Sequence, residues 1–184
     1  MACREIGRPY LEDSMNERLY NVDVYSDDWN PMFLQDVFRD SPEGFEDFCG
    51  QLLQDMGYSV TLTRTRQDGG YDIDARQNGR RFLVECKCYA QHNHVTRPLV
   101  QRLVGVNATE HADGLIFMTT SRFSQGAVQY ALQTGVILID GLELIRLTRS
   151  HLHRRSSCPR PGCHCLLHIP VQSAGHPVNV FLHM

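Results

Sequence analysis

Three residues stand out by type and spacing: Asp72, Glu85 and Lys87. Between the two acids lies Asn78-Gly79, the dipeptide that most strongly favours a two-residue β-turn. With that pair at the centre of the turn, Asp72 falls opposite Glu85, Gly70 opposite Lys87 and Asp74 opposite Leu83. Side chains alternate along a strand, so Asp72, Asp74, Glu85 and Lys87 share one face. Tyr71, Ile73, Ala75, Phe82, Val84, Cys86 and Cys88 take the other and read as a core surface. Two carboxylates on one rung, with Cβ atoms about 4.5–5.5 Å apart, repel each other. Such a pair persists when a proton, a salt bridge or a metal ion compensates it. A hard divalent cation such as Mg²⁺ takes one or two carboxylates and keeps waters for a substrate phosphate. An amine beside it can hold or deprotonate an attacking water and offset charge developing on phosphorus. On the residues alone, a solvated face with an incidental Lys–carboxylate pair stays open.

One compositional fact bears on that choice. Of the 18 Lys and Arg residues, Lys87 is the only lysine. Arginine keeps its proton at neutral pH and presents a planar fork rather than a compact charge, so the amine at position 87 is not interchangeable with its cationic neighbours.

The elements that position these residues are legible from periodicity and caps. Ser41-Pro42-Glu43 opens a helix, carried by Phe45, Phe48, Leu52, Leu53 and Met56 and closed by Gly57. Tyr58–Thr63 reads as a strand, Gln67–Gly70 as a turn, and Tyr71–Arg76 with Arg81–Cys88 as the hairpin. A helix near Pro98–Glu110 follows, then a buried-type strand at Leu115–Thr119. A helix over Phe123–Gln133 is closed by Gly135, and a second buried-type strand spans Val136–Ile139. A short helix at Leu142–Leu147 ends the pattern. This order predicts an α/β domain with a central mixed sheet flanked by helices on both faces. The organisation read from it is an acidic extension over 1–40, one domain over 41–149, and an irregular tail over 150–184 that contains Cys and His. The Trp29–Phe38 end of the extension could form a short packed helix.

The 184 residues, with 42% hydrophobic and 21% charged side chains, suit one globular domain with modest extensions. A net charge of −3 gives no global sign of a polyanion binder, so such a partner must be held by local charge. The start lacks an export-type apolar run and the apolar segments are too short to span a bilayer. Seven cysteines, an odd number without framework spacing, point to a reducing cytoplasm.

The run Asp68-Gly69-Gly70-Tyr71-Asp72-Ile73 with Glu85-Cys86-Lys87 resembles the PD-(D/E)xK nuclease signature. More narrowly, the chain is similar to the Mrr-like catalytic domain of type IV restriction endonucleases. Gly44–Phe48 with Met56-Gly57-Tyr58, Arg97–Gln101 with Gly105, and Gly114–Thr120 with Arg122-Phe123 fit in the same order. The resemblance covers about Pro42 to Leu147. It implies a restriction-endonuclease-like three-layer fold and hydrolysis of DNA phosphodiester bonds that leaves 5′-phosphates. It also implies Asp72 and Glu85 as ligands of Mg²⁺, with Mn²⁺ able to substitute, and Lys87 as the catalytic lysine. Glu46 matches a position that supports the metal or orients its water, and Gln101 a glutamine near the site. Relatives often carry Gln where this chain has Glu85, so the carboxylate here returns to the broader superfamily pattern.

Arg64, Arg66, Arg97 and Arg102 are the candidate phosphate contacts, with Arg76, Arg80 and Arg81 on the hairpin beside them. Such contacts position a duplex without reading its sequence. Cutting both strands calls for two centres, which points to a homodimer, and a separate specificity subunit is a possible partner. Cys158, Cys163, His164, Cys165 and His168 have zinc-ligand chemistry but lack paired C-x₂-C halves. Zinc there is the less favoured reading. The alternatives to a restriction enzyme are a repair or recombination nuclease of the junction-resolving type and a DNA-binding module without catalysis. Glycoside hydrolysis fits poorly, because its carboxyl pairs flank a sugar-sized groove rather than face each other on a ladder.

Overall fold

The structure is a computed structural model that describes residues 29–63 and 70–156, with backbone alone for 152–156. The elements run α1 (Pro31–Phe38), α2 (Pro42–Asp55), β1 (Ser59–Leu62), β2 (Ile73–Gln77), β3 (Arg80–Lys87) and α3 (Arg97–Glu110). They continue with β4 (Gly114–Thr119), α4 (Gln125–Thr134), β5 (Ile137–Ile139) and α5 (Gly141–Ser156). The five strands lie in sequence order, β1-β2-β3-β4-β5. The first three are antiparallel, and β3–β4 and β4–β5 are parallel.

Local chemistry fixes the element ends. The Ser41 hydroxyl accepts the Gly44 N–H at 3.2 Å to start α2, with Pro42 in the first turn. Asn78 and Gly79 both have positive φ, 53° and 78°, as a two-residue hairpin turn requires. The register it sets pairs Asp74 with Leu83 and Ile73 with Val84, as the turn dipeptide predicts.

Each face of the sheet carries a core. On one, Ile73, Ala75, Phe82, Val84 and Cys86 pack with Phe45, Phe48 and Leu53 of α2, Leu34 and Phe38 of α1, and Leu144 of α5. On the other, Leu83, Leu115 and Phe117 meet Val100 and Leu103 of α3 and Ala127 and Ala131 of α4. This is the mixed sheet between helical layers that the element order predicts.

The short packed helix expected at the Trp29–Phe38 end is present: α1 lies in the first core, with Trp29 and Phe38 buried. Their apolar side chains, rather than the acidic composition around them, decide where they go. At the other end α5 runs to Ser156 rather than stopping near Leu147. Its last turns are polar, and helical hydrogen bonding continues without an apolar stripe to reveal it. The rest of the Cys/His tail, Arg64, Arg66, Asp68 and Gly69 lie outside the described residues.

α3 is fastened at both ends. Before it, the Val95 N–H donates to Arg122 O at 2.8 Å and Val95 O accepts the Ser124 N–H at 2.9 Å. Behind it, Arg81 on β3 donates to Glu110 O and to Glu110 Oε2, each at 2.8 Å, and to Asp74 Oδ2 at 2.8 Å. The same guanidinium reaches the Tyr71 hydroxyl at 3.3 Å. Arg81, one of the hairpin arginines considered for phosphate contact, is thus engaged in tying α3 to the hairpin. Gly70 (φ +70°) makes room for that helix: a Cβ there would lie 2.4 Å from Val106 Cγ2.

Candidate active site

The site forms where β2 begins and β3 ends. Up to Ile73↔Val84 the ladder is regular. At Asp72 it breaks: the Asp72 N–H donates to Val84 O at 2.8 Å, one step off the register, as in a β-bulge. The Asp72 carboxylate then takes over as acceptor, with Oδ2 receiving the Cys86 N–H at 2.7 Å. Asp72 therefore caps the end of the ladder instead of facing Glu85 on a regular rung. The same break turns Tyr71 to the α3 side, where it is buried with Leu83 and Val100. Strict alternation put it with Ile73, and the bulge shifts that parity.

Glu85 is 2% exposed, and its Oε1 holds two cations. Lys87 Nζ lies 2.7 Å away, and Arg102 Nη2 from α3 pairs with the same oxygen. Lys87 Nζ also donates to Cys86 O at 3.0 Å and lies 3.6 Å from Asp72 Oδ2. Burial first, then the Asp72 carboxylate, raises the Glu85 pKa above its ordinary value, against the pull of Lys87 and Arg102. For Lys87 burial acts downward, but Glu85 and Asp72 outweigh it, and the ammonium is held above its ordinary value. The two groups sustain each other's charge. Beneath them, the buried Thr119 hydroxyl donates to Lys87 O at 2.7 Å, fixing the end of β3 to β4.

Of the residues singled out by spacing and resemblance, Asp72, Glu85 and Lys87 come together, and Arg102 joins them on Glu85 rather than standing apart. Glu46, half-buried on α2, lies near enough to help raise the pKa of the Cys86 thiol, for which burial is the larger cause. Gln101 is exposed on α3, and no hydrogen bond or ion pair links it to the trio. Arg97 stacks over the Tyr130 ring at 5.0 Å, bridging α3 and α4. Sequence reasoning missed the Arg102–Glu85 pair and the Thr119 anchor; for the anchor, a hydroxyl ending an otherwise apolar strand was the available sign.

The donors suit a hard cation. Among the described residues Asp72 Oδ1 and Glu85 Oε2 accept no hydrogen bond, whereas Oδ2 and Oε1 are engaged. Two carboxylates are oxygen ligands of the kind a Mg²⁺-class ion uses, with water filling the remainder. Among the described residues no cluster of three or more His, Cys, Asp and Glu side chains gathers here, so water would have to supply the other positions. No helix among the described residues is long and apolar enough to cross a membrane.

Known proteins resemble this chain in sequence and fold. Type IV methyl-directed restriction enzyme EcoKMrr of Escherichia coli (strain K12) is 28% identical over 152 residues, covering 78% of this chain and 48% of the relative. The DNA modification-dependent restriction endonuclease AspBHI superposes with a TM-score of 0.58 at 27% identity, over 78% of this chain and 40% of that one. The MspJI restriction endonuclease, solved in complex with a 27-mer oligonucleotide, shares the fold with a TM-score of 0.52 at 19% identity. That match covers 81% of this chain and 35% of MspJI. This chain therefore spans about half or less of the length of each of these proteins. Residues 39–148 match the Mrr_cat family, described as restriction endonuclease, a stretch that takes in every strand of the sheet and all three clustered residues. The chain belongs to that family.

Proposed function

We propose that this chain is a divalent-metal-dependent DNA endonuclease acting in restriction of foreign DNA. In this reading Asp72 and Glu85 hold Mg²⁺, Mn²⁺ can replace it, and Lys87 is the catalytic amine. The observation that carries the reading is the convergence of those three side chains at the broken end of one ladder, within a chain of this family. When bound, the cation would polarise the scissile phosphate and neutralise part of its charge.

The chain's own groups do the rest. Lys87, anchored by Cys86 O, presents a compact positive charge to oxygens that gain charge as phosphorus is attacked, and it orients the incoming water. Asp72 is kept in place by the Cys86 N–H, so its other oxygen has a defined direction. Glu46, from the α2 side, supports the water or the metal, and Gln101, Arg97 and Arg102 on α3 border the path of the duplex. Arg64 and Arg66 complete the proposed phosphate contacts. The catalytic unit is assigned to 41–149, with α1 packed onto it.

The test is incubation of the purified protein with supercoiled plasmid, methylated and unmethylated, with Mg²⁺ and with a chelator. Nicking or linearisation that needs the cation is expected, and 5′-phosphate ends should result. A mobility shift without any cut product would favour a binding module instead. Cleavage of both strands would be made by a homodimer. Light scattering of the protein on a duplex should give two copies per DNA, and one copy with double-strand cleavage would overturn that assignment.

A further inference from the structure

We propose that Arg102 is a placeholder cation: it occupies the charge of Glu85 while the metal is absent and is displaced when the metal binds. The inference rests on the reading of Asp72 and Glu85 as a metal centre. It concerns α3, outside the hairpin that carries that centre.

Charge comes first. Glu85 is almost fully enclosed, and a buried carboxylate without a partner is strongly disfavoured. Together Asp72 and Glu85 supply two negative charges, and Lys87 with Arg102 two positive ones, so the metal-free site is balanced. A divalent cation leaves it with an excess of two positive charges, which favours withdrawal of a resident cation.

Geometry selects which. Lys87 is held by three groups, Glu85 Oε1, Asp72 Oδ2 and Cys86 O, and its side chain is 25% exposed. Arg102 has Glu85 Oε1 as its partner, and its side chain is 54% exposed. The guanidinium is thus the more exposed of the two cations and can swing into water by side-chain rotation, losing one ion pair. Lys87 would have to abandon three contacts from a largely covered position.

A role in orienting Glu85 for the metal makes the opposite prediction. If Arg102 positions the carboxylate, its removal weakens metal binding; if it competes, removal strengthens it. Mn²⁺ alone, without DNA, is titrated into the full chain and the free ion is followed by electron paramagnetic resonance. Wild type, Arg102→Ala, Arg102→Gln and Asp72→Asn are compared. The expected result is roughly threefold to tenfold tighter Mn²⁺ binding in both Arg102 variants, the range for losing a partly exposed charge competitor. Asp72→Asn should lose that binding. Equal or weaker binding in both Arg102 variants, with binding still lost in Asp72→Asn, overturns the placeholder while leaving the metal centre intact. Wild-type affinity unchanged in Asp72→Asn overturns both.

Discussion

At the level of single residues, the site is an ion cluster in which each charge depends on its neighbours. Glu85 is costly to bury and is sustained by Lys87 and Arg102; Lys87 in turn is kept protonated by the two acids. Replacing Lys87 with alanine should abolish plasmid nicking and shift the thermal midpoint little, because Arg102 still answers Glu85. Asp72→Asn should behave alike, since an amide oxygen can still accept the Cys86 N–H. Lys87→Arg retains charge but not the compact amine, and it should also fail. Nicking at the wild-type rate by a purified Lys87→Ala protein would refute the assigned role. Glu85 and Lys87 were legible in the sequence because a two-residue turn fixes the register and alternation fixes the face; Asp72 was singled out on the same register, from which the bulge displaces it. Arg102 was legible as one of four candidate phosphate contacts, not as the partner of Glu85. Which of several exposed arginines turns toward a buried acid depends on helix phase and on the angle at which α3 crosses the sheet, and neither is written in local pattern.

Among the secondary-structure elements, the hairpin and α3 act as one unit through Arg81. Its guanidinium joins Asp74, Glu110 and Tyr71 across the β2 side of the helix. Arg81→Met should leave two acids without their shared cation and lower stability by about 1–3 kcal/mol, seen as a lower urea midpoint. An unchanged midpoint would mean the network contributes nothing net. The helices and strands themselves followed from caps and periodicity, with ends displaced by one or two residues. The bulge at Asp72 did not, because a bulge is set by what the strand must pack against. Here Gly70 admits Val106 and Tyr71 must reach Arg81, so regular pairing gives way one residue early. The long α5 escaped notice for a different reason: its final turns lack an apolar stripe, and periodicity is blind to a helix without one.

Over the whole molecule, the three layers divide their work. The α1–α2–α5 layer closes the larger core, while α3 and α4 cover the face from which Glu85 and Lys87 project. α1 joins that larger core although its sequence surroundings are acidic, burying Trp29, Leu34 and Phe38 there. α3 is the element on which site and layer meet, and it is tied down before its first turn and after its last. A rod clamped at both ends cannot tilt, so whatever Arg102 does must be done by its own torsions, on the picosecond-to-nanosecond scale of exposed side chains. Amide hydrogens in the middle of α3 should consequently exchange with deuterium at nearly the same slow rate with and without Mn²⁺. Faster exchange on adding the ion would mean that the helix itself yields.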